Sequence, residues 1–88
     1  MTLSYTIAQS GNYLTISASA TASGGIQKVQ FWVDGKLRAT DSSAPYSYAW
    51  NLKSVKDGTY TITIKAFDNL GNMAQVSFAV SILNHKIV

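Results

Sequence analysis

Polar and apolar positions alternate along almost the whole chain, and no stretch spaces its apolar residues at a helical period. Leu3, Tyr5 and Ile7 alternate with Ser4, Thr6 and Ala8 until Ser10-Gly11-Asn12 interrupts. Leu14, Ile16, Ala18, Ala20 and Ala22 then alternate with Tyr13, Thr15, Ser17, Ser19 and Thr21 up to Ser23-Gly24-Gly25. In a third segment Val29, Phe31 and Val33 share one face, and Lys28, Gln30 and Trp32 the other. A period of two is what a strand buried on one face requires, because successive side chains point to opposite sides. The Gly- and Asn-bearing breaks are turn chemistry.

The next break, Asp34-Gly35, is a hairpin signal. A two-residue loop pairs Val33 with Lys36 and sends Leu37 to the side of Trp32. A three-residue loop closed by Gly35 in a left-handed bulge pairs Phe31 with Leu37 and sends Leu37 and Ala39 to the core. The second register is the one expected here. Beyond an irregular connection from Asp41 to Pro45, Tyr46, Tyr48 and Trp50 share a face. Lys53 to Gly58 reads as a loop. Tyr60, Ile62, Ile64 and Ala66 alternate with Thr59, Thr61, Thr63 and Lys65, and Asp68 to Asn72 reads as a turn. Val76, Phe78, Val80 and Ile82 form the core face of the last strand. Seven strands spaced by about ten residues predict an all-β sandwich or barrel.

Length and composition narrow this picture. The 88 residues make one domain spanning 1–88, with 84–88 expected as a tail or the start of a linker. The chain has no cysteine, so no disulfide and no thiolate metal site. Only 12% of residues are charged and glutamate is absent, so Ser and Thr supply the polar surface, which favours strands. The net charge of +3 is spread over seven Lys and Arg with no run. A nucleic-acid reader concentrates such charge on one face, so no nucleic-acid partner is expected. No apolar stretch reaches the ~20 residues of a membrane span. Met1 to Gln9 lacks the pattern of a signal peptide. The expectation is a monomeric module from a longer protein.

The chain is poor in reactive groups. Its four carboxylates are Asp34, Asp41, Asp57 and Asp68, all in turns or loops. Asp favours such places because its side chain bonds nearby backbone amides. A glycosidase needs two carboxylates flanking one bond, and none of these is placed as a pair. Calcium takes six to eight oxygens, roughly; Asp68, Asn69 and Asn72 offer only a few, and no metal or cofactor is expected. His85 is the lone histidine and lies in the tail, so neither a triad nor a histidine metal site assembles. Trp32 stands apart from this bland picture. Its parity puts it on the outer face, as it does Phe67, and large exposed aromatics on one face call for an explanation. With the expected loop, Lys36 and Arg38 lie beside it. Trp32, Lys36 and Arg38 are thus the candidate ligand-binding residues, suited to a stacked sugar or a partner protein. The competing explanation is that a cationic side chain simply covers the indole.

Three stretches, in this order and spacing, resemble the bacterial immunoglobulin-like domains of secreted and cell-surface proteins: Val29-Gln30-Phe31-Trp32-Val33-Asp34-Gly35, Ala44-Pro45-Tyr46-Ser47-Tyr48-Ala49-Trp50, and Asp57-Gly58-Thr59-Tyr60 continuing to Ala66-Phe67-Asp68-Asn69-Leu70-Gly71-Asn72. The resemblance implies a two-sheet immunoglobulin-like sandwich. In that topology the second and fifth strands are neighbours, so the small Ala18, Ala20 and Ala22 lie beside the large Tyr46, Tyr48 and Trp50 and fill a layer. Tyr60 takes the place of the tyrosine that forms a corner bond at the start of strand F, and Ile62 stands where an antibody domain has its second cysteine. The resemblance further implies a non-catalytic accessory module, secreted or on a bacterial cell surface. Its partners are then neighbouring domains of the same polypeptide, with a polysaccharide or a surface protein as further candidates, and polysaccharide-degrading enzymes are among the hosts of such modules.

Overall fold

The computed structural model describes residues 1–88. Its elements are β1 (Thr2–Ser10), β2 (Tyr13–Thr21), β3 (Ile26–Val33), β4 (Lys36–Asp41), β5 (Tyr46–Asn51), β6 (Gly58–Asp68), β7 (Met73–Leu83) and the short β8 (Lys86–Ile87). They form two antiparallel sheets, ordered β1-β2-β5 and β4-β3-β6-β7-β8. This is the expected immunoglobulin-like sandwich, with one strand more than the alternation marked.

The core follows from the alternation. Leu14, Ile16 and Ala18 of β2, with Tyr46 and Trp50 of β5, face Val29, Phe31 and Val33 of β3, Ile62, Ile64 and Ala66 of β6, and Val80 and Ile82 of β7. β2 does lie beside β5, pairing Ala18 with Tyr46, Ile16 with Tyr48 and Leu14 with Trp50. Only Ala18 sets a small residue beside a large one: the antiparallel register carries Tyr48 and Trp50 back along Ile16 and Leu14, away from Ala20 and Ala22, so the expected layer of three alanines beside three aromatics does not form. Across the sheets, the rings of Phe31 and Tyr48 meet at 6.1 Å. Leu52 lies just beyond β5, in phase with Tyr46, Tyr48 and Trp50, and is also fully buried. Its N–H donates to Asn12 O at 2.7 Å, which ties the β5–β6 loop to the β1–β2 turn. On the edge strand β1 the inward face is only partly covered. Tyr5 and Ile7 are 36% and 38% exposed, and Tyr5 stacks on Phe78 of β7 at 4.1 Å.

Two further features depart from the expectations. The first is the β3–β4 hairpin. Val33 pairs with Lys36, so the loop has two residues, not three. Asp34 and Gly35 both have positive φ, 49° and 80°. That is the backbone of a type I′ turn, whose twist matches that of the strands. Trp32 then pairs with Leu37, and a bulge at Arg38 restores the parity so that Ala39 pairs with Phe31. Ala39 does pack against the core, but Leu37 lies outside, 47% exposed.

The second departure is the chain's last segment. Residues 84–88 fold back as a hairpin: Asn84 and His85, at φ 52° and 64°, form another two-residue turn, and Leu83 pairs with Lys86. No glycine announces this turn, but Asn and His are among the residues that tolerate a left-handed backbone. The hairpin is pinned at three points. Asn84 N–H donates to Asp57 Oδ1 at 3.0 Å. His85 Nδ1 lies 2.8 Å from Leu52 O. Ile87 N–H donates to Gln9 Oε1 at 3.0 Å, joining β8 to β1.

Candidate functional site

Trp32 lies on the outer face of the larger sheet, as its parity implies, but its neighbours are not the expected ones. It is half-buried, with Lys65 Nζ 4.4 Å from its ring centroid. Its Nε1–H donates to Gln30 Oε1 at 3.2 Å. Lys65 comes from β6, where it pairs with Gln30, one position diagonal to Trp32. Phe67 repeats the arrangement further along the same face, with Lys28 Nζ at 5.0 Å from its centroid. A cation over an aromatic face is attracted by the ring quadrupole. Two exposed apolar side chains flank these rings: Leu37 opposite Trp32, and Met73 opposite Phe67 at 49% exposure.

Lys36 and Arg38 are elsewhere. The two-residue turn places Lys36 across from the inward-facing Val33, and Arg38 occupies the bulge. Both line an open cleft of about 390 Å³ at the end of the sandwich, together with Asp34, Val33, Trp50 and Tyr60. Ser54 and Val55 of the β5–β6 loop complete it. The hairpin geometry therefore separates the three expected binding residues into an outer face that holds Trp32 and a cleft that holds the two cations. The signal for this was present in Asp34-Gly35, since Asp-Gly is a preferred pair for the two-residue I′ turn. The roles of Trp50, Ser54, Val55 and Tyr60 in the cleft carry no such signal, because they depend on how the β5–β6 loop closes over the sheet end.

The cleft is built on firm supports. Tyr60 donates its hydroxyl to Lys56 O at 2.5 Å, the corner bond expected at the start of this strand. Its ring meets that of Trp50 edge-on, with centroids 5.4 Å apart. Trp50 is 2% exposed and its Nε1–H has no acceptor. Asp34 is held to β6 by two bonds: its N–H donates to Thr61 O, and Thr61 N–H donates to Asp34 Oδ1, each at 2.8 Å. No ion pair engages Lys36 or Arg38.

All four carboxylates accept bonds from nearby backbone. Asp34 serves Thr61, and Asp57 serves Asn84. Asp41 accepts from the N–H groups of Ser43 and Ser47. Asp68 is buried and accepts from Leu70 N, Asn72 N and Asn72 Nδ2 at 2.7–3.0 Å. The Asn72 backbone N–H is the main cause that holds the Asp68 carboxyl below the ordinary aspartate range. Burial opposes this, and the Asn72 amide and Leu70 N–H reinforce it. Donors that point at a carboxylate favour its charged form. The other amide of this loop is also committed, Asn69 Nδ2 donating to Gly24 O at 2.9 Å. Nowhere do three His, Cys, Asp or Glu side chains gather.

The model of the bacterial Ig domain family matches residues 4–64, more than half of the chain. Among solved structures, the fibronectin(III)-like modules of Clostridium thermocellum CbhA are 30% identical, with a TM-score of 0.70 over 93% of this chain and 94% of theirs. The Clostridium perfringens spore cortex lytic enzyme SleM shares the fold, with a TM-score of 0.71 and 16% identity over 89% of this chain. The match spans only 26% of SleM. Among curated proteins none matches the chain. The sandwich, its strand order and the matched segment together make this chain a member of the bacterial Ig domain family.

Proposed function

We propose that the domain is a non-catalytic accessory module of a larger extracellular bacterial protein, where it spaces and stabilises neighbouring domains. One observation carries this reading: every carboxylate in the chain is engaged in holding a turn or loop. A hydrolase acting by acid–base chemistry needs a pair of carboxylates free to face a substrate. The likeness to modules of CbhA, and to a quarter-length portion of SleM, supports a place within a multidomain protein. Neighbouring domains of the same polypeptide are then its first partners, and polysaccharide-degrading enzymes are suitable hosts. The reading is tested with the purified domain and a panel of plant and bacterial cell-wall polysaccharides. No release of reducing ends is expected. Turnover abolished by a single Asp→Ala substitution contradicts it.

A second reading uses the outer face as a binding surface for a polysaccharide or protein. The observation that favours it is the exposure of Leu37 and Met73 beside Trp32 and Phe67, which makes a mixed apolar and cationic patch. Retention on an immobilised neighbouring domain that is lost in Trp32→Ala, with folding intact, is the result this reading requires.

A further inference from the structure

We propose that the cleft at the β3–β4 turn binds an acidic sugar, a hexuronate-type ring that carries one carboxylate among several hydroxyls. The proposal goes beyond the accessory role and moves the binding function of Lys36 and Arg38 away from Trp32. It rests on what converges there. Lys36 and Arg38, separated on β4 by the outward-facing Leu37, line the same cleft, with no ion pair to satisfy either charge. Arg in particular presents a planar fork of donors that fits a carboxylate. Trp50 forms the buried back wall, its indole N–H out of contact with solvent, so it supports the cleft and serves as a nearby reporter.

The remaining walls select the scaffold that carries the carboxylate. Val33, Val55 and the Tyr60 ring give an apolar surface suited to the C–H face of a pyranose. Ser54 and Asp34 supply a hydroxyl and a carboxylate. Asp34 accepts from Thr61 through Oδ1 only, so Oδ2 is available as an acceptor. A purely anionic ligand would be repelled by Asp34. A ring with hydroxyl donors on one side and a carboxylate on the other satisfies Asp34 and the two cations together. An acidic peptide side chain has the carboxylate but not the hydroxyls. The volume, about 390 Å³, lies at the small end of ligand sites, suitable for one sugar ring with its linkages open to solvent.

The test uses the 88-residue chain and its two tryptophans, whose indole N–H signals are separate reporters in a nitrogen-15 NMR spectrum. The probes are oligogalacturonate, neutral oligogalactan and poly-L-glutamate. The expected result is a saturable shift of the Trp50 indole and of the Lys36–Arg38 backbone with oligogalacturonate alone. The Trp32 indole stays in place. The double variant Lys36→Gln with Arg38→Gln, both surface positions whose loss leaves the core intact, weakens binding by about tenfold or more, the scale of one charge-assisted bond. Trp32→Ala binds as the native chain does. Four results each overturn the proposal: no shift with oligogalacturonate, equal shifts with polyglutamate, shifts centred on Trp32, or undiminished binding by a folded double variant.

Discussion

Asp34 and Thr61 exchange two hydrogen bonds of 2.8 Å, the N–H of each donating to an oxygen of the other. The pair explains why the β3–β4 loop has two residues. Asp34 must adopt a left-handed φ of 49°, which costs a residue with a Cβ. The bonds to Thr61 on the neighbouring strand offset that cost and fix the carboxylate at the rim of the cleft. Asp34→Ala loses the side-chain bond and keeps the strain, so it is expected to destabilise the domain by about 1–2 kcal/mol. Asp34→Gly, which removes the strain as well, costs less. Urea denaturation of the two variants checks the order, and the reverse order contradicts the turn geometry.

The corner bond from Tyr60 to Lys56 is a single neutral hydrogen bond. Tyr60→Phe removes it alone and is expected to cost about 1 kcal/mol. Trp50→Ala opens a cavity where a ring is 2% exposed, and about 3–5 kcal/mol is expected. Thermal denaturation followed by circular dichroism measures both. Equal midpoints for Trp50→Ala and the native domain contradict the core assignment.

Acid reveals the Asp68 loop. The carboxyl titrates below its unfolded-chain value, so its contribution to stability is present above the ordinary aspartate range near pH 4 and is lost as pH falls through the lowered value. Asp68→Asn removes the titrating group. The expected outcome is a variant less stable than the native domain at neutral pH, with the gap narrowing as the solution is acidified below about pH 4. Denaturation midpoints measured from pH 7 downwards give the two curves. A gap that widens on acidification contradicts the assignment.

Trp32 and Lys65 form the pair that covers the indole on the outer face. A double-mutant cycle with Trp32→Ala and Lys65→Ala is expected to give a coupling of about 0.5–1 kcal/mol, typical of a partly exposed cation–π contact. The cycle Trp32→Ala with Arg38→Ala is expected to give none, since Leu37 is the register partner of Trp32. Coupling to Arg38 in place of Lys65 contradicts the hairpin register.

What the sequence made legible was whatever a period of two determines. The inward faces of β2, β3 and β6 and the outward parity of Trp32 follow from alternation, whereas the adjacency of β2 and β5 was legible only through the family resemblance. The cleft did not follow, because it depends on a one-residue choice. One more residue in the loop would carry Leu37 inward and bring Lys36 and Arg38 round to Trp32, since a register slip of one exchanges the faces of a strand. A preference for burying Leu37 argued for that slip. The bond pair between Asp34 and Thr61, distant in sequence, argues the other way and prevails. Lys65 as the cover for Trp32 was hidden for the same reason, since it required the diagonal register of β3 on β6. The 84–88 hairpin was hidden because Asn84 and His85 turn without glycine, held by Asp57 and Leu52 from another loop.

The accessory role is tested most directly by calorimetry on the parent polypeptide with and without residues 1–88, alongside turnover by its remaining domains. The truncated protein is expected to keep its chemistry per folded molecule while the neighbouring domain melts several degrees lower, about 2–4 °C for each 1 kcal/mol of lost contact in a domain of 150–250 residues. The excised domain alone turns over nothing. Catalysis that departs with residues 1–88, or a neighbour whose melting temperature and activity are both indifferent to their removal, contradicts it.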